Sequence, residues 1–131
     1  MTTPFICVLI AFLLIYVPKL PLSVAMARSS SKGYDNKHPR QQQAALEGFG
    51  ARSAAAHYNS FEAFAPFVAA VMIAHLTVGP DYRANVLSVA FVVARGLYIA
   101  AYLANQDYLR SAIWGVGMLC TVGLMCLPWL S

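Results

Sequence analysis

The sequence predicts an all-α fold: an integral membrane four-helix bundle running up-down-up-down. Three observations carry this. Of the 131 residues, 60% are hydrophobic and only 11% charged, where a soluble domain carries roughly a quarter charged residues. The apolar residues gather into four segments of about 20 residues or more, each long enough for a helix to cross roughly 30 Å of hydrocarbon. No alternating strand pattern competes with them.

The segments run from about residue 4 to 27, 53 to 78, 83 to 103 and 109 to 130, and they read as one domain over residues 1–131. In the first, Ala25-Met26-Ala27 resembles a signal-peptide cleavage site, but no Lys or Arg precedes the apolar run, so the charged leader of such a peptide is missing. Pro18, Lys19 and Pro21 interrupt the run, which predicts a kinked first helix rather than a leader. The second segment ends at Gly79-Pro80, a tight turn that makes the second and third helices antiparallel neighbours. Pro66 lies within the second span, and Gly115, Gly117 and Gly123 in the last predict close approach of neighbouring helices.

The net charge is +4. Arg28, Lys32, Lys37, Arg40 and Arg52 all fall in the connection between the first two segments, and Arg110 lies at the same end. The opposite turn holds only Arg83. Such an asymmetry is a topology signal and not a nucleic-acid surface. It places the long loop and the loop at 105–110 in the cytoplasm. Tyr34-Asp35-Asn36-Lys37-His38-Pro39-Arg40 reads as a loop of turn residues. Cys7, Cys120 and Cys126 sit in apolar runs, and His38, His57 and His75 share no metal-ligand spacing, so no metal site is predicted.

Polar residues inside the spans are costly and mark interior faces. Arg52, Asn59 and Glu62 form one stripe on the second helix, seven and three residues apart. Arg95, Tyr98 and Tyr102 form another on the third, at i, i+3 and i+7. One outcome of this pattern is an interhelical clamp in which Arg95 and Glu62 pair, with Asn59 and Tyr98 bonded to them. The other is a pocket open to a small zwitterion, because guanidinium groups suit carboxylates and Glu62 suits an amine. Arg110, opening the fourth helix with Ser111 beside it, could hold a thiol as the thiolate. His57, beside the second-helix stripe, reads as a hydrogen-bonded structural residue.

These residues carry a resemblance. Ala56-His57-Tyr58-Asn59-Ser60-Phe61-Glu62, Arg95 with Tyr98 and Tyr102, Arg110-Ser111, and Tyr34-Asp35-Asn36 with Pro39-Arg40 together resemble the MAPEG superfamily, membrane-associated proteins in eicosanoid and glutathione metabolism. The likeness is to a bacterial branch and covers nearly the whole chain. It implies a homotrimer in the membrane lipid, with glutathione bound between adjacent subunits near the cytoplasmic side. It also implies a lipophilic small-molecule substrate and transfer of glutathione to an electrophile, or reduction of a hydroperoxide. By the same resemblance Arg28, Arg52, Asn59, Glu62, Arg95, Tyr98 and Tyr102 would bind glutathione, while Arg110, with Ser111, would stabilise its thiolate. The sequence departs from many glutathione-using members four residues before Asn59, where Ala55 stands in place of an arginine. A non-catalytic, lipid-binding or scaffolding member of the same fold is the alternative this departure leaves open.

Overall fold

The computed structural model describes residues 1–131. In chain order its elements are α1 (Thr3–Tyr16), α2 (Lys19–Arg28), α3 (Pro39–Ala44), α4 (Gly48–Thr77), α5 (Tyr82–Leu103) and α6 (Asp107–Cys126), closed by a 3₁₀ turn over Leu127–Trp129. There are no strands. Four helical stretches are long and apolar enough to cross a membrane: Thr3–Arg28, Gly48–Thr77, Tyr82–Leu103 and Asp107–Trp129. The chain is an integral, multi-pass membrane protein built as a four-helix bundle.

The first span is two helices in series. Pro18 has no N–H to continue the ladder, and α1 stops at Tyr16. Beside this break His57 Nδ1 lies 2.6 Å from the Ile15 carbonyl oxygen, buried between the two spans. A carbonyl only accepts, so Nδ1 carries the proton and donates.

The helix α4 begins at Gly48, five residues before the apolar run that signals it at Ser53. At 1.5 Å per residue its 30 residues make a rod of about 45 Å, longer than the hydrocarbon layer is thick. Its first turns therefore stand clear of that layer, where hydropathy carries no signal. The expected loop holds over residues 34–38, and at its end Pro39 opens the short helix α3, its missing N–H harmless at a first helical position.

Between 28% and 39% of each span is buried inside the chain, so most of the apolar surface faces outward, as lipid contact requires. The core is thin. Its centre is Phe67 of α4 lying flat on Phe91 of α5, ring centroids 3.8 Å apart and 7° from parallel. Small residues set the helix spacing at two points. A Cβ on Gly50 would stand 3.0 Å from Ala25 Cβ, and one on Gly123 would stand 3.2 Å from Leu87 Cδ1. Gly115, expected to admit a neighbouring helix, faces nothing within 4 Å in this chain, and Gly117 has only ordinary contact distances. The close approach in the last span is at Gly123 alone.

At the end opposite the long loop, Gly79 takes φ +79° to turn α4 into α5. Asp81 caps α5 by accepting from Arg83 N, and Arg83 Nη2 pairs with Asp81 Oδ2 at 2.7 Å. Arg83 Nη1 also donates to Leu130 O and so ties the last turn to this end. The hydrogen bonds from Arg83 hold the Asp81 carboxyl below the usual carboxylate range.

Candidate functional site

Toward the long-loop end, α4, α5 and α6 leave a cleft of about 490 Å³ open on the surface of the chain. Asn59 and Glu62 enter it from α4, Tyr98 and Tyr102 from α5, and Arg110 and Ser111 from α6. Six of the residues singled out in the sequence thus line one wall. A cavity of about 110 Å³ continues from the cleft into the bundle, sharing Asn59, Glu62 and Trp114 and adding Arg95, Phe91 and Met118. A third space, at the loop end, joins Arg52 to Tyr102 and Arg110. The cleft volume lies in the range of roughly 300–1,000 Å³ typical of small-molecule sites.

The helix period explains the convergence. Asn59 and Glu62 share a face of α4, as do Tyr98 and Tyr102 on α5, and the antiparallel packing of these helices turns both faces to the start of α6. Asn59 Nδ2 donates to Glu62 Oε2 at 3.3 Å. The Arg110 guanidinium stacks on the Tyr102 ring, 4.2 Å from its centroid. Tyr102 in turn meets Tyr98 edge-on at 5.7 Å, and the Arg95 guanidinium lies 4.3 Å over the Tyr98 ring. Two cations and two phenol rings form one ladder along α5 into the cleft, each contact within the range in which ring quadrupoles attract cations.

The clamp between Arg95 and Glu62, one of the two outcomes open from the sequence, is not formed. Arg95 is buried and donates from Nη2 to Ser60 Oγ at 3.3 Å, so its partners are a hydroxyl and a ring. The only side-chain ion pairs are Asp35 with His38 and Asp81 with Arg83. Arg52, Arg95 and Arg110 therefore have no carboxylate partner in the chain, and Glu62 has no cation. Asn59 Oδ1 is enclosed with no hydrogen-bond donor. Arg110 and Ser111 make no side-chain hydrogen bond to protein.

Two expected residues are placed elsewhere. Arg28 is exposed at the end of α2 and lines none of these cavities, because α2 packs against α1, α3 and α4 and not against α5 or α6. Arg52 lines only the neighbouring space at the loop end, separated from the main cleft by Tyr102 and Arg110. Ala55 itself lines the cleft, so the missing guanidinium leaves open volume there. Two lining residues went unrecognised in the sequence, Tyr58 and Trp114. Each had a signal: Tyr58 lies four residues before Glu62 and Trp114 four after Arg110, on the same helix faces.

The arrangement suits a small zwitterion with excess negative charge. Glu62 and Asn59 Oδ1 accept, as an ammonium requires; the arginines donate, as carboxylates and a thiolate require. These residues fit glutathione by the chemistry of their unpaired donors and acceptors. The MAPEG family model matches residues 3–129 of the chain. No curated protein and no solved structure matches it.

Proposed function

The chain belongs to the MAPEG family, and on that premise we propose that it is a membrane-bound, glutathione-dependent transferase or peroxidase acting on lipophilic electrophiles. The observation that carries this reading is the set of unpaired charges around one cleft: Arg110 and Arg95 without an acid, Glu62 without a base, and Asn59 Oδ1 without a donor. Leaving the buried Arg95 charge and the enclosed Asn59 Oδ1 unmatched is costly, and a ligand of the opposite pattern removes that cost.

Each residue then has a task. Glu62 and Asn59 take the ammonium of glutathione, Arg95 and Tyr98 favour a carboxylate, and Arg52 adds positive charge from the space beyond Tyr102 and Arg110. Arg110 stands where it lowers the pKa of a thiol and keeps it as thiolate. The Tyr102 ring holds that guanidinium by stacking, and Ser111 adds a hydroxyl donor. In transfer, the sulfur forms a bond to the electrophilic carbon, and the leaving group departs with the electron pair. Positioning and electrostatics supply most of the acceleration. The electrophile reaches the cleft from the bilayer, where the cleft lies open on the surface of the chain.

The same charges support assembly. Glu62 lies midway along α4 and is exposed in the single chain, and a charged side chain in hydrocarbon costs on the order of 3 kcal/mol. Another copy covering the cleft removes this exposure, and we place the chain in a homotrimer, as is typical of the family, with the long loop in the cytoplasm of a bacterial inner membrane. Ala55 in the cleft wall favours a second reading, a lipid-binding member without thiol turnover. Titration calorimetry of the detergent-purified protein with glutathione, followed by turnover with a halogenated nitroarene and a lipid hydroperoxide, decides between them. Binding with thiol-dependent turnover supports the transferase. Lipid binding without any response to glutathione supports the second reading.

A further inference from the structure

We propose that Arg40, on the short helix of the cytoplasmic loop, is a carboxylate-binding residue at the rim of the cleft, supplying the cation that Ala55 does not. This rests on the thiol-binding reading above. Ala55 and Tyr58 stand side by side in the cleft wall, one helical turn apart. Tyr58 is also where the loop meets the cleft. Its hydroxyl donates to Gln43 Oε1 at 2.7 Å. Arg40 Nη1 reaches both groups, the same Gln43 oxygen at 3.3 Å and the Tyr58 hydroxyl at 3.4 Å. Its guanidinium lies 6.0 Å over the Tyr58 ring.

The bonding pattern fixes what this rim can bind. Arginine only donates, so the Gln43 atom facing it must be the oxygen. Gln43 is almost wholly buried, and its Nε2 is enclosed without a partner, so the side chain is held by Oε1 alone and serves to anchor Arg40. Arg40 itself is exposed and in no ion pair. One nitrogen is spent on Gln43 and Tyr58, while Nε and Nη2 have no protein partner. That free pair is the planar fork that takes a carboxylate through two parallel hydrogen bonds. Glu62 is the one carboxylate lining the cleft, and it makes no ion pair with Arg40, so the fork is left free for an incoming carboxylate.

The test compares binding of glutathione and of glutathione diethyl ester, which keeps the amine and the thiol but has no free carboxylate. Wild type, Arg40→Gln and Lys37→Gln are titrated in detergent. Loss of a charge-assisted bidentate contact predicts that Arg40→Gln binds glutathione about 5- to 10-fold more weakly, that both proteins bind the diester equally, and that Lys37→Gln behaves as wild type with either ligand. Arg40→Gln binding glutathione as tightly as wild type overturns the proposal. So does an Arg40→Gln penalty that persists with the diester, which marks a merely structural role for α3, and so does an equal penalty in Lys37→Gln, which marks general charge. Failure of wild type to bind glutathione defeats the thiol-binding reading itself and is visible without any variant.

Discussion

Replacing Tyr102 tests whether the ring, and not the hydroxyl, holds Arg110 in place. The guanidinium lies 4.2 Å from the ring centroid and makes no hydrogen bond or ion pair with the protein, so the stacked ring is its one specific contact. A cation over an aromatic ring contributes about 0.5–1 kcal/mol when exposed and about 2 kcal/mol when desolvated. Arg110 is intermediate in burial, which places the contact near 1 kcal/mol, or about fivefold in the population of the stacked rotamer. Tyr102→Phe keeps the ring and is expected to retain thiolate formation and turnover within about twofold. Tyr102→Ala is expected to lose about fivefold, with the protein still folded because Tyr102 lies at the cleft and not in the core. Circular dichroism checks the fold, and initial rates at fixed glutathione read the effect. Equal losses in the two variants would refute the stacking argument and assign the role to the phenol proton.

Three other perturbations test the frame that positions the cleft. Gly50→Ala puts a methyl 3.0 Å from Ala25 Cβ, an atom fixed directly to the backbone of α2, and overpacking of this kind costs about 1–3 kcal/mol; thermal unfolding in detergent should show a lowered midpoint, and an unchanged one would mean that α2 is not held against α4. His57→Ala leaves the Ile15 carbonyl without its donor and should destabilise by about 1–3 kcal/mol, again read by the unfolding midpoint. Asp81→Asn removes a carboxylate whose pKa is depressed by Arg83. A depressed carboxyl stabilises the fold fully above its unfolded value of about 3.9 and loses that contribution as pH falls through its lower folded value. The gap in midpoint between wild type and Asp81→Asn should therefore be constant near neutrality and close only in acid below about pH 4.

Much of the fold was legible because the bilayer imposes it: four long apolar runs leave few alternatives to four helices, and the break at Pro18 follows from a missing N–H. The convergence of Asn59, Glu62, Tyr98, Tyr102, Arg110 and Ser111 was legible because polar residues in such helices must share an inward face. Helix rotation was less so. Lipid and core are both apolar, so hydropathy does not say which flank of the polar stripe meets which neighbour, and the partner of Arg95 came out as Ser60 and Tyr98 in place of Glu62. The position of Arg28 depended on how α2 leans after Pro18, which no spacing encodes. The start of α4 and the helix α3 lie in polar sequence, where periodicity carries little signal. Arg40 was read as a topological charge and as part of the family resemblance but not as a site residue, because its link to the cleft runs through Gln43 and Tyr58, two contacts across the loop that sequence distance conceals.

The central claim is that Arg110 holds a thiol as thiolate in the cleft. Glutathione is titrated into wild type and Arg110→Ala at neutral pH while thiolate absorbance is followed in the ultraviolet. Unit charges 4 Å apart attract by about 1 kcal/mol in water and about 4 kcal/mol near a protein surface, so a half-buried guanidinium should lower the thiol pKa by about one to two units. A thiolate band is expected in wild type at pH 7, and it disappears in Arg110→Ala while the variant still binds glutathione. An equal thiolate band in both proteins, or none in wild type at saturating glutathione, would contradict it.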